Sequence, residues 1–222
     1  MTDSTFPQTD LIPSRIPSFN ICCIDYRYDA LTTQYFNENG QQFNYFLWTT
    51  AGASLPLGYK EFCLKNCIGN CCNKSCEFDI LKNTKIEHKT SNLILPCNPD
   101  NEEMEILKIS LDTNITISRT LQNISEIYLM NHQDCGAIKA FLSCSGYPTN
   151  LGDDNAKEIE INTFLLNYSA DYVYKTFPFI KTVRLGLIDI NGSVADYIND
   201  KWVVVFKGVG INPKGLWYSY NI

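Results

Sequence analysis

Apolar residues along this chain gather into short unbroken runs, and between them lie longer stretches with helical spacing. Phe19 to Ile24 is one such run, and it ends in Asp25-Tyr26-Arg27. That pattern predicts a strand buried on both faces whose C-terminal end opens into a polar site. Phe43 to Thr49 (FNYFLWT) predicts a second strand, rich in aromatics and stopped by Ala51-Gly52. Leu121, Ile124 and Ile127 line a helix or its exit, and Ile127-Tyr128-Leu129-Met130 predicts a third buried strand. Gly136 to Cys144 (GAIKAFLSC) places Ala137, Ile138, Phe141 and Leu142 on one helical face, and Ala156 to Tyr174 predicts a longer helix. Thr182 to Ile190 and Trp202 to Val209 close the chain as strands. Strands alternating with helices predict an α/β fold with a mainly parallel β-sheet flanked by helices.

Two stretches depart from this rhythm. Residues 1–18 carry Pro7, Pro13 and Pro17 and predict an N-terminal arm lying over the body or a partner subunit. Residues from about 58 to 110 crowd five cysteines into Cys63 to Cys76, then turn polar, with Pro96, Pro99 and the acidic group Glu102, Glu103 and Glu105. This stretch reads as an insertion into one domain spanning residues 19–222.

Composition narrows the function. With 222 residues, 45% hydrophobic and 19% charged, the chain suits a single well-filled core. A net charge of −6 and scattered Lys and Arg argue against a nucleic-acid partner, since no cationic surplus is present to neutralise phosphates. Met1 to Asp10 is polar, without the apolar segment of a secretory signal, and no run approaches membrane-spanning length. The expectation is a soluble, cytoplasmic protein without a membrane partner. In such a compartment ten cysteines point to metal ligation or burial before disulfides.

Candidate chemistry sits in two segments, Cys23-Ile24-Asp25-Tyr26-Arg27 and His132-Gln133-Asp134-Cys135-Gly136-Ala137. Each begins where an apolar run ends, so both project from the C-terminal edge of one parallel sheet, where open α/β folds place ligands. Cys135 opens a predicted helix, whose N-terminus favours a thiolate. Gly136 lets the backbone approach closely, and Asn131 tolerates strained turn geometry. Two thiolates and one imidazole, from Cys23, Cys135 and His132, match a catalytic zinc site with its fourth position left to water. Zn2+ there lowers the pKa of that water towards neutrality. Asp25 orients the nucleophile, and Arg27 holds Asp25 ionised and aimed.

Together, Cys23-x-Asp25-x-Arg27 and His132-x-x-Cys135-Gly136-Ala137 resemble the motifs of the β-class carbonic anhydrases. The resemblance covers residues 19–58 and 111–145, and the Trp202–Leu216 stretch loosely. It implies a β-carbonic-anhydrase-like fold, Zn2+ held by Cys23, His132 and Cys135, and Asp25–Arg27 as a catalytic dyad. It also implies a zinc lyase that reversibly hydrates carbon dioxide to bicarbonate, assembled as a homodimer or higher homo-oligomer. The same scaffold serves carbonyl sulfide or carbon disulfide hydrolysis, and a catalytically silent zinc protein with an assembly role is a third reading. Thr49-Thr50 stands where the family has Arg-Asn, which alters hydrogen bonding behind the pocket, and Tyr26 replaces a serine within the dyad motif. The insertion lengthens the Cys23-to-His132 separation, and long surface insertions cost little stability.

The remaining cysteines form a second cluster. Cys63, Cys67 and Cys71 fall on one helical face, with Cys72 and Cys76 on an adjacent one. They make either a second, structural metal site or a metal-free buried or cross-linked stretch, which Cys22 and Cys97 can join; Cys144 faces the core on its helix. His88 is either a proton shuttle folded over the pocket or a solvent-exposed residue between Glu87 and Lys89.

Overall fold

The computed structural model describes residues 17–25, 27–41, 45–66, 77–78, 93–94, 100–144 and 155–208. The N-terminal arm through residue 16, Tyr26, Cys67, Cys71, Cys72, Cys76, His88, Cys97 and residues 209–222 lie outside them.

The apolar run SFNICC forms β1 (Ser18–Cys23), whose first five residues are buried. It lies between β2 (Tyr45–Thr50) and β5 (Glu126–His132), parallel to both, and β5 in turn pairs in parallel with β6 (Thr182–Ile188). Two antiparallel strands, β7 (Ser193–Ile198) and β8 (Lys201–Lys207), complete the order β2-β1-β5-β6-β7-β8. The sheet is therefore mixed, with a parallel core. The antiparallel extension has a local cause. Gly192 sits at φ 82° in the first turn, and Asn199 and Asp200 at φ 50° and 61° close the second hairpin with the double left-handed turn that matches strand twist. A separate short pair, β3 (Glu77–Phe78) and β4 (Leu93–Ile94), runs antiparallel.

Helices cover both faces. On one, α1 (Asp29–Phe36) presses Leu31, Tyr35 and Phe36 onto Cys22, Tyr128 and Met130. The Tyr35 and Tyr128 hydroxyls there both meet the Asp196 carboxylate, tying β5 and α1 to β7. On the other face, α2 (Leu55–Asn66), α3 (Glu102–Gln122) and α5 (Asn155–Thr176) supply Leu57, Leu111, Ile115, Leu166 and Val173 against Phe19, Ile21, Ile127 and Leu129. At the C-terminal edge of the parallel strands, α4 (Gly136–Cys144) joins α2 and α5 around Phe62, Phe141 and Leu165. No helix among the described residues is long and apolar enough to cross a membrane.

The stretch expected to be an insertion at about 58–110 has both ends in core helices. Tyr59, Phe62 and Cys63 of α2 and Met104 of α3 are all buried in one cluster. The acidic group read as part of that insertion is the first turn of α3, where Glu102, Glu103 and Glu105 meet the positive end of the helix and Asn101 caps it by accepting from the Met104 N–H at 2.9 Å.

Candidate metal centre

Cys23 is the last residue of β1 and His132 the last of β5, and these strands are neighbours in register. The chain leaves β1 towards β2 on one side, while β5 and β6 extend the sheet on the other. The two residues thus flank the crevice where strand order reverses, the usual ligand position in open α/β sheets. Cys135 follows two residues of turn and precedes α4. The Cys23 and Cys135 Sγ atoms are 3.9 Å apart, and these and a His132 ring nitrogen all lie within 4.8 Å of one another. Two sulfurs bound tetrahedrally at about 2.3 Å each would sit ~3.8 Å apart, so the spacing suits a cation between them.

His132 supplies the strongest local sign of a ligand. Its Nδ1 lies 2.7 Å from the Gln133 carbonyl, which can only accept, so Nδ1 carries the proton and Nε2 a free lone pair. That Nε2 is buried and has no hydrogen-bond partner. An orphaned buried acceptor costs on the order of 1–3 kcal/mol, a cost that coordination removes. The imidazole is held in place from a second direction: Tyr28 packs against it at 4.2 Å between ring centroids, and the Tyr28 hydroxyl donates to the same Gln133 carbonyl at 3.0 Å.

One of the two sulfurs is prepared for deprotonation. The Cys135 thiol donates to Cys23; against the opposing effect of burial, this bond, His132 and the Gly52 N–H bring Cys23 down to about 4. Cys135 goes the other way: its bond to Cys23 and its burial raise it, opposed by the Ile138 and Ala137 N–H groups at the start of α4. The two sulfurs share one proton, which a bound cation displaces. Gly52, at φ 80° with Leu55 Cβ 3.0 Å from where its own Cβ would stand, is a position where any side chain would be strained.

Asp25 and Arg27 stand beside this group. Arg27 Nε donates to Asp25 Oδ1 at 2.9 Å and Nη2 to Oδ2 at 2.5 Å, with the Arg27 backbone N–H on Oδ1 at 3.1 Å. Burial pushes the Asp25 carboxyl up, but these bonds outweigh it and hold it below its ordinary value. Asp25 Oδ2 is 3.9 Å from His132 Nε2, within reach of anything bound at the three ligands.

Sequence reasoning missed the second anchor of Arg27. Its Nη1 donates to Asp134 Oδ2 at 2.9 Å and its Nη2 to the Asp134 carbonyl at 3.2 Å, while Lys139 binds the other Asp134 oxygen. Asp134 adopts φ 60°, and its N–H donates to the buried Glu158 on α5 at 2.5 Å. The signal was present but weak, since aspartate is one of the few residues besides glycine that adopts left-handed backbone. That strained position is Asp134 and not Asn131, which lies within β5 and accepts from Ser54 Oγ at 2.8 Å while donating to Asn162 Oδ1 at 2.9 Å. Gly136 is likewise not required for close packing, because an added Cβ meets nothing within 4 Å.

Of the second cysteine cluster only Cys63 lies among the described residues, where it is buried with Phe62, Phe141 and Cys135; Cys22 belongs to the cluster on the opposite face of the sheet. Thr50 is buried opposite Cys23, and its carbonyl accepts from the Ile24 and Ala53 N–H groups at 3.3 and 3.0 Å. This fixes the turn into Gly52 without the side chains of an Arg-Asn pair. No protein-family model matches the chain, and no curated protein matches it.

Proposed function

We propose that this chain is a zinc-dependent carbonic anhydrase with a β-carbonic-anhydrase-like fold, hydrating carbon dioxide reversibly to bicarbonate. One observation carries the reading: the unpartnered buried Nε2 of His132 converges with two sulfurs beside a carboxylate already engaged by Arg27. Cys23, His132 and Cys135 would hold zinc, which would supply a Lewis acid that makes water nucleophilic near neutral pH. Two thiolates balance its charge, which suits a site of low polarity. Asp25 accepts a hydrogen bond from the attacking water and fixes which lone pair faces the carbon. Arg27, clamped on two sides, keeps Asp25 ionised and prevents it from rotating. Leu55, Phe62, Ile138 and Phe141 pack with Cys135 in one buried cluster, which keeps bulk water from that side of the ligands.

Elemental analysis of freshly purified protein tests the metal, with one zinc per chain expected and its loss in Cys135→Ser. Stopped-flow carbon dioxide hydration tests the reaction, with Asp25→Asn expected to lower kcat by about 100-fold while zinc is retained. Zinc without turnover above that variant would leave a metal protein with no hydration activity, and turnover of carbonyl sulfide alone would reassign the substrate.

A further inference from the structure

Cys23 and Cys135 are 112 residues apart in sequence, yet their Sγ atoms touch at 3.9 Å. A disulfide needs an S–S distance of about 2.05 Å, so roughly 2 Å of travel separates this contact from a covalent bond. Both residues stand where the backbone has room to supply it. The ladder between β1 and β5 ends at the Cys22–Met130 pair, one residue before Cys23, and Cys135 lies between the turn that ends β5 and the start of α4. The pair is unequal in access. Cys23 is half-buried, whereas Cys135 is 2% exposed and clustered with Leu55, Ile138 and Phe141. A reagent arriving from solvent therefore meets Cys23 first. An accessible thiol with a buried one in contact behind it is the arrangement that thiol–disulfide exchange requires, one sulfur to attack and one to resolve. The other described thiols stand apart from it: Cys22 belongs to the cluster on the opposite face of the sheet, and Cys63 of α2 is itself buried.

We propose that Cys23 and Cys135 are a reversible redox pair, oxidised by a low-molecular-weight disulfide such as glutathione disulfide, and that their bond and a bound metal exclude each other. The Cys23 thiolate attacks one sulfur of the small disulfide. That S–S bond breaks, and the first small thiolate leaves and takes up the proton that Cys23 released. Cys135 then attacks Cys23 Sγ in the mixed disulfide, and its proton goes to the second small thiolate as that group leaves. Two protein thiols are oxidised, and one small disulfide is reduced to two thiols. The product has lost two of the three candidate ligands, because a disulfide sulfur carries no thiolate charge, and His132 is left alone. Conversely, sulfurs engaged in holding a cation are poorer nucleophiles for the exchange. The exclusion of metal rests on the centre proposed above; the covalent bond does not.

Peptide mapping of the full chain by mass spectrometry tests this, starting from protein fully reduced and stripped of metal. After incubation with glutathione disulfide and non-reducing digestion, a peptide pair joined through Cys23 and Cys135 is expected, with no glutathione kept on either residue. Protein loaded with zinc beforehand is expected to form that link at least about 10-fold more slowly. Oxidised protein is expected to bind zinc at least about 100-fold more weakly than reduced protein, and dithiothreitol to restore the affinity. Cys22→Ala is expected to form the link at the wild-type rate, and Cys135→Ser to stop at a glutathione adduct on Cys23; thermal melts show that both are folded. The wild-type link is read without any variant. A wild type that stops at that adduct, or that joins Cys23 or Cys135 to Cys63 or another cysteine instead, overturns the proposal. A link that forms as fast with zinc bound as without overturns it equally. Failure of the reduced chain to bind zinc overturns the metal centre, and the linked peptide then decides the covalent pair alone.

Discussion

Arg27 is the residue on which the candidate site turns, because it is buried and its guanidinium is divided between two carboxylates. Asp25 takes one side as a fork, and Asp134 takes Nη1 and, through its carbonyl, part of Nη2. Removing the second anchor leaves Arg27 with one partner and freedom to rotate, and Asp25 loses its aim with it. Asp134→Ala is therefore expected to retain metal and to lower kcat for hydration by about 10-fold with little change in KM, while Asp134→Asn, which keeps an acceptor for Nη1, recovers part of the rate. Behind Asp134, Glu158 has its own pH signature. Burial raises its carboxyl and the Asp134 N–H opposes this only in part, so the folded protein holds the Glu158 proton more tightly than the unfolded chain does. A carboxyl raised on folding makes stability fall as pH rises from the unfolded value, near 4.3, through the higher folded one. Glu158→Gln is expected to lose that slope, so the urea midpoint of the variant should gain on wild type across that interval and hold its advantage above it. Equal slopes for the two proteins would show that Glu158 is not strained by its burial.

Between elements, α2 and α5 approach each other backbone to backbone at Gly58. A Cβ on Gly58 would lie 2.6 Å from the Leu165 carbonyl oxygen and 2.9 Å from Ser169 Oγ, and the carbonyl is backbone that cannot swing aside. Gly58→Ala is expected to lower stability by about 2 kcal/mol, whereas Gly136→Ala, facing open space at the start of α4, should stay within ~0.5 kcal/mol of wild type; paired urea titrations check both. This contact shows which parts of the fold were legible in the sequence. Strands β1 and β5 and helices α4 and α5 announced themselves because a strand buried on both faces is an apolar run and α4 shows a plain helical period. Helices α2 and α3 did not. Cysteine crowding obscured the first, whose Leu55, Leu57, Tyr59 and Phe62 are spread over two apolar clusters rather than one stripe. The second has apolar residues on opposite faces, so no single period stands out, and its acidic first turn imitates a linker. The β7 hairpin was readable in principle from Asn191-Gly192, a turn signal that falls in the stretch left unassigned between the two predicted closing strands. The site followed the same division: the ligand triad lay at two strand ends and could be read, but Asp134, Glu158 and Lys139 are joined only by tertiary packing.

At the scale of the whole molecule, the three candidate ligands draw together parts of the chain that are far apart in sequence. Cys23 ends β1, His132 ends β5, and Cys135 sits among the side chains of α2, α4 and α5. A cation held by all three binds the folded chain and hardly the unfolded one, so it stabilises by mass action. With free metal at about 100 times its dissociation constant the gain is ~2.7 kcal/mol, and tighter binding adds about 1.4 kcal/mol per decade. In a domain of this size each kcal/mol moves the midpoint of melting by roughly 2–4 °C. Chelation is therefore expected to lower the melting temperature by at least about 5 °C, and readdition of zinc to restore it. Cys135→Ser is expected to melt near the chelated wild type and to respond little to either treatment. Asp25→Asn separates binding from chemistry, since it leaves the ligands in place and should show the full metal-dependent shift with the loss of turnover. A melting temperature indifferent to chelator in wild type, with no metal found by analysis, would mean that the Cys23, His132 and Cys135 atoms converge for packing alone. The unpartnered His132 Nε2 would then stand as an uncompensated cost in the core, and His132→Phe would be expected to stabilise the protein instead of crippling it.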